Sequence, residues 1–552
     1  MKMIKYLILL PFLVVITNCD EKSKQTSKET AQETPPITPR WAFEHVVWED
    51  SINTQEAAMD LVNRYKSRDF PVGGIIIDSP WSTSYNSFEW DTARYPAPQK
   101  MINSLHDLDI RVIMWMTAIM NETAKDAPVQ KNKNYDWLID QEYVTDNGDT
   151  IHWWKGAGVH IDYTNPKAVS WLHEQMDPVM EMGIDGWKVD MGEWYLDDTV
   201  LTSEGEMPKK EFQKLYYADM YDYTVGKNPE GIILARPYSH QAGGACAPIS
   251  KNPMGWCGDF YGNWEGLKHQ INNIYKSAEI GYGAVGCEVG GYWKGRSNKE
   301  QLVRYAQFGA MTACMVNGGV NGAFTNHLPW YHDEEAEKCY RQAAWLHSQL
   351  IPYLFSETVN AHLHGGALLN NVSFEQESHI LGQDIFTKAI TSSDSLVEFR
   401  LPGNDNWVEF WTNEEYKGGE LISKDYLLNR FPLFIRSGAI IPMNIHNSYS
   451  GIGDVSLKNK QTILIYPGKK SSYRYYRPTG TGTNYETIDI TFDNASGILE
   501  VDGESTLSYA FLIQNINKPG EVKDAEWEYN AKDNLLKILK QGKSIRIEIV
   551  MK

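Results

Sequence analysis

The sequence predicts a (β/α)8 TIM barrel followed by two C-terminal all-β, sandwich-like modules. Three observations carry that expectation. Between Trp41 and about Pro352, eight short apolar runs alternate with stretches of helical periodicity, the pattern of a parallel sheet wrapped in helices. Several of these runs stop on a charged residue, which is foreign to a core but belongs at the C-terminal mouth of a barrel. After Pro352 the helical spacing gives way to short strand-like runs separated by turn residues.

The barrel elements follow in order. His45-Val-Val-Trp48 is the first strand candidate, and a helical pattern runs from Thr54 to Arg68. Gly73-Gly-Ile-Ile-Ile-Asp78 is the second strand and ends on an acid. A helix near Gln99 to Leu108 leads to Arg111-Val-Ile-Met-Trp-Met116. Pro166 to Met182 is helical, with Trp171, Met176, Val179 and Met180 at core spacing. It leads into Gly183-Ile-Asp-Gly-Trp-Lys-Val-Asp190-Met-Gly-Glu193, a strand from Trp187 to Val189 with Asp190 and Glu193 at its end. A helix cap at Asp190, completed by Glu193, is the plainer alternative. The runs beginning at Gly231, Met254, Tyr282 and Met311 end at or near Arg236, Asp259, Glu288 and Val316, the last leading toward His327. A doubly wound sheet is the rival topology, but no glycine-rich dinucleotide fingerprint follows the first strand.

Beyond Pro352 the strand candidates include Leu396 to Leu401, Trp407 to Trp411, Leu433 to Ile441, Thr462 to Tyr466, Tyr473 to Tyr476 and Ile545 to Val550. The expected divisions are a signal segment (1–19), a disordered tether (20–40), the barrel (41–352), and proximal (353–444) and distal (445–552) sandwich-like modules. Met1-Lys-Met-Ile-Lys5 is basic, and Tyr6 to Ile16 is an apolar run too short to span a bilayer comfortably. It ends at Thr17-Asn-Cys19, which resembles a bacterial lipobox and would make Cys19 the lipidated first residue of the mature chain. Asp20-Glu21 resembles the export signal of surface lipoproteins in Bacteroidetes-type bacteria. A plain secretory signal would likewise place the protein outside the cytoplasm. Residues 20–40, rich in Lys, Thr, Ser, Glu and Pro, read as a tether.

Composition narrows the function classes. A net charge of −19 without a basic stripe excludes nucleic acid as a partner. Six cysteines without CxxC spacing argue against a zinc or redox motif, and some of them are expected to be buried thiols. No HExxH motif is present and the expected mouth carries one His, so neither a metal nor a cofactor is expected. The 19 Trp and 31 Tyr offer flat apolar area that suits sugar faces, although most such rings fill cores.

The polar residues at the strand ends suggest chemistry. Asp78, Asp190, Asp259 and Glu288 each fall at such an end, Arg236 sits in the same kind of place, and His327 lies on the loop after the last strand. On a closed barrel these six groups converge. Two carboxyl groups, one ionised and one protonated, are what acetal hydrolysis requires. Each also has a plainer reading. Asp78 would cap, Arg236 would pair, Asp259 would be a loop acid, Glu288 would pair with Lys294 or Arg296, and His327 would be a core histidine. The Trp153-Trp154 pair reads equally as core or as a sugar platform, and Cys257 reads as packing.

Several stretches together resemble glycoside hydrolase family 31, the retaining α-glycosidases that include α-glucosidases, α-xylosidases, α-galactosidases and sulfoquinovosidases. They are Trp41-Ala-Phe, Asp78-Ser-Pro-Trp81, Phe88-Glu-Trp-Asp-Thr-Ala-Arg-Tyr-Pro96, Ile161-Asp-Tyr-Thr-Asn-Pro166, Trp187-Lys-Val-Asp190-Met-Gly-Glu193, Ala235-Arg-Pro237, Gly255-Trp-Cys-Gly-Asp259, Gly286-Cys-Glu-Val-Gly-Gly-Tyr292, Asn326-His-Leu-Pro-Trp330, Arg436-Ser-Gly-Ala-Ile-Ile-Pro442 and Ile465-Tyr-Pro-Gly468. The resemblance implies Asp190 as the nucleophile and Asp259 as the acid/base. It implies Arg236, His327 and Asp78 as hydroxyl-binding groups, with Glu193 orienting the neighbourhood of Asp190. Trp187, Lys188, Trp256 and Glu288 are expected to complete the substrate wall. Glu288 stands where family α-glucosidases usually have Asp, and Lys188 where they usually have Trp, which favours an anionic or otherwise non-glucose sugar. The family's usual N-terminal β-sandwich has no counterpart before Trp41, implying a more open site or one completed by a partner subunit. The expected function is an exo-acting, α-glucosidase-like hydrolase tethered at the cell envelope and acting on oligosaccharides or polysaccharides. The same-family alternatives are α-xylosidase, α-galactosidase and sulfoquinovosidase, and the alternative class is a sugar-binding lipoprotein on a degenerate barrel.

Overall fold

The computed structural model describes residues 33–190, 195–292, 297–318 and 327–551. Cys19 with its signal segment, and Glu193, lie outside the described residues, as do Lys294 and Arg296.

Eight parallel strands close into a barrel. They are β1 (Val46–Glu49), β2 (Gly74–Ile77), β3 (Arg111–Thr117), β4 (Gly186–Asp190), β5 (Ile232–Ala235), β6 (Met254–Trp256), β7 (Val285–Val289) and β8 (Met315–Asn317). Each pairs with its neighbours in sequence, and β8 closes on β1 through Val46–Val316 and Val47–Asn317. All eight match apolar runs in the sequence. Residues on β1, β2, β4 and β5 are buried without exception, as strands covered on both faces should be. Gly186 has a packing reason: a Cβ there would lie 2.2 Å from the Ile232 carbonyl oxygen, so β4 and β5 could not approach.

The surrounding helices are α1 (Gln55–Lys66), α2 (Pro98–His106), α3 (Pro166–Glu181), α4 (Lys209–Lys227), α5 (Trp264–Ile280), α6 (Lys299–Gly309) and α7 (Glu334–His364). Thr54 caps α1 by accepting from the Ala57 amide, and Asn165 caps α3 by accepting from Lys167. In α3, Ala168, Leu172, Met176, Val179 and Met180 form the buried face, while Trp171 packs at its edge. Helix α7 runs on through Pro352 to His364, so helical structure outlasts the change in sequence pattern seen near that proline.

The C-terminal region is all β. A six-stranded sheet is built from strands between Leu369 and Arg436, and a two-stranded ladder pairs Leu396–Arg400 with Leu421–Asp425. The distal sheet begins at Ile440–Met443 and is centred on the long antiparallel pair Ile498–Ile513 and Leu535–Met551. A loop of the distal sheet grips the barrel at the end opposite its mouth. The Arg40 and Trp41 amides donate to the Gly482 and Thr481 carbonyls at 2.9 Å, and Arg111 Nη2 donates to Thr481 Oγ1 at 3.0 Å. Cys246, Cys257, Cys287, Cys314 and Cys339 are buried free thiols.

Candidate active site

A cavity of about 640 Å³ opens at the C-terminal end of the barrel. Its inner wall is built by Asp50, Asp78, Trp115, Lys188, Asp190, Arg236, Asp259 and Tyr292. Among the described residues, none from the C-terminal sheets lines it. Strand arithmetic explains the inner wall. Lys188 and Asp190 are two apart on β4 and share the inward face, and the register pairs them with Trp115 and Thr117 of β3.

Asp190 is fully engaged. Arg236 Nη2 donates to its Oδ1 at 2.9 Å, Trp115 Nε1 donates to its Oδ2 at 3.1 Å, and the Tyr216 hydroxyl holds its carbonyl at 3.0 Å. Burial pushes its carboxyl up, but the charges of Arg236 and Lys188 and the two hydrogen bonds outweigh it and leave the group below the ordinary Asp range. It stays ionised where a nucleophile is needed.

Asp259 faces the same cavity and is shifted in the opposite direction. Burial raises it to about 6, with the negative charges of Asp190 and Asp78 adding to the shift against the opposing pull of Arg236 and Lys188. Gly258, just before it, adopts φ +90°, and a Cβ there would come within 2.3 Å of Arg236 Nη1. Only glycine lets the loop after β6 turn this closely over the arginine that clamps Asp190.

Below these two acids lies a layer of paired charge. Asp78 Oδ2 accepts from Trp48 Nε1 at 2.7 Å and Lys188 Nζ at 3.2 Å, while Oδ1 accepts from the Ser79 amide at 2.7 Å. The Lys188 ammonium sits 3.4 Å from the Trp48 ring centroid and 4.4 Å from that of Trp256. Burial pulls Lys188 down, yet Asp78, Asp190, Asp259 and Glu288 together raise it, so it remains charged. Tyr292 stacks on Trp48 at 4.7 Å and donates to Asp50.

Four of the sequence candidates do not line the cavity. Trp187 alternates with Lys188 and Asp190, so it points away and packs against Phe88 and Trp81 with ring centroids at 5.6 and 6.5 Å. The expectation that it contacts substrate is corrected by the period of the strand. Trp256 lies beneath the wall, 4.1 Å from the Arg236 guanidinium, and supports two cations instead of facing the cavity. Glu288 is buried behind Asp259, its carboxyl oxygens without a hydrogen-bond partner among the described residues, and burial pushes it well up, toward the neutral form. His327 is buried, with Nδ1 at the Gly318 carbonyl, and burial lowers it to about 4.

Sequence reading passed over Asp50, Trp115 and Tyr292 on the inner wall. It also missed most of an outer set: Tyr195, Lys155 and Asp126 beside Trp154, which the sequence left open between core and sugar platform, and His240, Gln241, His269 and Asn272. Lys155 Nζ bonds Asp126 Oδ2 at 2.6 Å, and Tyr85 donates to the same oxygen at 2.7 Å. Asp50 carried the same signal as Asp78, an acid just after an apolar run. Among the described residues no cluster of His, Cys, Asp and Glu has metal-holding geometry.

Comparison with known proteins follows this geometry. Residues 35–357 match the glycosyl hydrolases family 31 TIM-barrel domain, and residues 357–441 match the family's C-terminal domain. The chain belongs to glycosyl hydrolase family 31. An alpha-glucosidase 2 of Bacillus thermoamyloliquefaciens is 25% identical over 482 residues, covering 82% of this chain and 59% of the relative. An alpha-xylosidase of Emericella nidulans is 22% identical over 443 residues, covering 74% and 54%. The chain therefore spans somewhat over half the length of these family members. Among solved structures, the cycloalternan-forming enzyme of Listeria monocytogenes superposes with TM-score 0.82 at 19% identity, over 94% of this chain and 55% of that one. That likeness shares the family's fold.

Proposed function

We propose that this protein is an exo-acting retaining α-glycosidase. The observation that carries the reading is the opposed shift of two carboxyl groups on one cavity: Asp190 held below the ordinary Asp range by Arg236, Lys188 and Trp115, Asp259 raised to about 6. Environments that drive two titratable groups apart assign the base or nucleophile and the acid. Asp190 attacks the anomeric carbon while Asp259 protonates the departing oxygen, giving a glycosyl ester on Asp190. Asp259, now ionised, then takes a proton from water, which attacks the anomeric carbon, breaks its bond to the Asp190 carboxylate and frees Asp190. Two inversions retain the anomeric configuration.

The paired layer of Asp78, Lys188, Trp48, Tyr292 and Asp50 closes the base of the cavity, which supports attack at a chain end. An α-glucoside is the first reading of the sugar, in keeping with the alpha-glucosidase relative. The buried Lys188–Asp78 pair favours a second, an α-galactoside or α-xyloside, because a cation there offers a donor where family α-glucosidases usually place an indole. The Thr17-Asn-Cys19 motif supports lipidation at Cys19 and a place at the bacterial cell envelope.

A panel of α-linked aryl glucoside, xyloside, galactoside and sulfoquinovoside tests the assignment, with the product anomer read by NMR in the first turnovers. The α-anomer from at least one substrate is expected. Inverted product, or no hydrolysis of any member, would overturn the reading.

A further inference from the structure

We propose that a second cavity, where the foot of the barrel meets the distal sheet, binds a sulfate or phosphate ester carried on a sugar. Its volume is about 270 Å³, and it shares no lining residue with the cavity at the mouth. It therefore stands apart from the glycosidase reading. Three parts of the chain build it: Arg40 from the turn that enters the barrel, Pro352 from α7, and Lys460, Gln461, Tyr475 and Arg477 from the distal sheet and the turn leading into it. Tyr475 and Arg477 are two apart on the strand Lys470–Pro478 and so share a face.

The charge of this cavity is one-sided. Arg40, Lys460 and Arg477 line it and, among the described residues, no Asp or Glu does, although the chain as a whole carries −19. The charges of Arg40 and Arg477 both reach the phenol of buried Tyr475, so two guanidinium groups from opposite ends of the chain stand over one ring. Like charges gathered in this way repel, and the groups behind them only partly balance them. Arg477 Nε pairs with Glu486 at 3.0 Å, and its Nη1 donates to the Pro478 carbonyl at 3.1 Å. Arg40 Nη2 pairs with Glu44 at 3.1 Å, but burial pushes Glu44 up, toward its neutral form, against the pull of Arg40 and Lys66. Lys460 Nζ donates to the Ser456 carbonyl at 2.8 Å, an uncharged partner.

An oxyanion placed between the three cations would relieve that repulsion. Guanidinium forks and an ammonium are the side chains that hold sulfate and phosphate groups, and the bonds behind both arginines already fix their direction, so little order is lost on binding. The rest of the lining says what carries the anion. Asn444, Asn459, Gln461 and Ser508 offer amide and hydroxyl groups, which suit sugar hydroxyls and which a bare ion does not need. A few placed polar groups around a concave volume are what fix a small ligand's orientation.

Calorimetric titration of the full chain at low ionic strength tests this, with glucose 6-sulfate, glucose 6-phosphate, glucose and inorganic sulfate and phosphate as probes. None is a glycoside, so none is consumed. Wild type should bind at least one ester about tenfold or more tighter than glucose and tighter than the matching free ion, the scale of a hydrogen bond to a charged group. Lys460→Gln should weaken that ester roughly ten- to a hundredfold by the same logic, and Lys460→Arg should restore it. Any binding at the mouth is set apart because Lys460 does not line that cavity, so kcat/KM on an aryl glycoside should stay within about twofold in both variants. Esters bound no tighter than glucose, or bound equally by Lys460→Gln, would overturn the site. A free ion bound as tightly as its ester would reduce it to an ion site and overturn the sugar. Each of these results leaves the chemistry at Asp190 and Asp259 untouched.

Discussion

The two ends of β4 carry an aspartate each, and they do different work. Asp185, on the approach to the strand, accepts from His106 Nε2, Arg111 Nη1 and the Val112 amide, each at 2.8 Å, and does not line the cavity at the barrel mouth. Asp190, at the far end, also accepts from an arginine, but one side of it is open to a cavity that holds a second, raised carboxyl group. Burial and an arginine partner are therefore common to an anchor and to a nucleophile. What separates them is an unfilled volume and a partner acid whose affinity for protons is shifted the other way. In a barrel that difference follows from position, because the bottom face serves stability and the top face chemistry.

The largest effect should come from Asp190→Asn. The amide oxygen can still accept from Arg236 or Trp115, so the fold should hold, but an amide does not attack an acetal carbon. Turnover should fall by roughly 10,000-fold or more, with far-UV circular dichroism and apparent Tm close to wild type. Residual activity within about tenfold of wild type would remove Asp190 from the chemistry.

Asp259→Asn should cost less and should change the pH profile. In wild type, Asp259 must be protonated for the first step. Its proton is lost as pH rises through about 6, so kcat/KM falls on the basic side with that midpoint. On the acid side it falls only when Asp190 takes up a proton, below the ordinary Asp range. The two acids interact, so these midpoints belong to the pair. Removing the acid should lower the rate on a disaccharide by roughly 100- to 10,000-fold and abolish the basic limb. A glycosyl fluoride, whose leaving group needs no proton, should lose much less in its first step. An unchanged basic limb in this variant would assign that limb to another group.

Much of this was legible because barrel strands are short, continuous and apolar. Each of the eight runs overlaps a strand, and the charged residues ending several of them mark the mouth. Asp78, Lys188, Asp190, Arg236 and Asp259 reach the cavity because each lies in or within a few residues of a strand end, where local pattern decides direction. Trp187 was misassigned although strand alternation already set it opposite Asp190. Trp115 was hidden because an indole inside Arg111-Val-Ile-Met-Trp-Met116 reads as core, and only the register with β4 brings it to Asp190. Trp154 and Tyr195 sit on excursions without periodicity, so their meeting is set by tertiary structure alone.

The smallest expected effect tests the anchor end. Asp185→Asn removes a charge that Arg111 and His106 share, and turns one oxygen acceptor into a donor facing at least one of three existing donors. Arg111 also ties β3 to Thr481 of the distal sheet at 3.0 Å, so the damage falls on the seam between barrel and distal sheet. Breaking such a buried, multiply bonded carboxylate costs about 1–3 kcal/mol, or a fall of about 1–3 °C in apparent Tm for a chain of this size. The reacting groups lie at the other end of the strand, so kcat/KM below the unfolding transition should stay within about twofold of wild type. If this variant instead lost activity at an unchanged Tm, the ends of β4 would be coupled, and Asp185 would have to be counted among the residues that position Asp190.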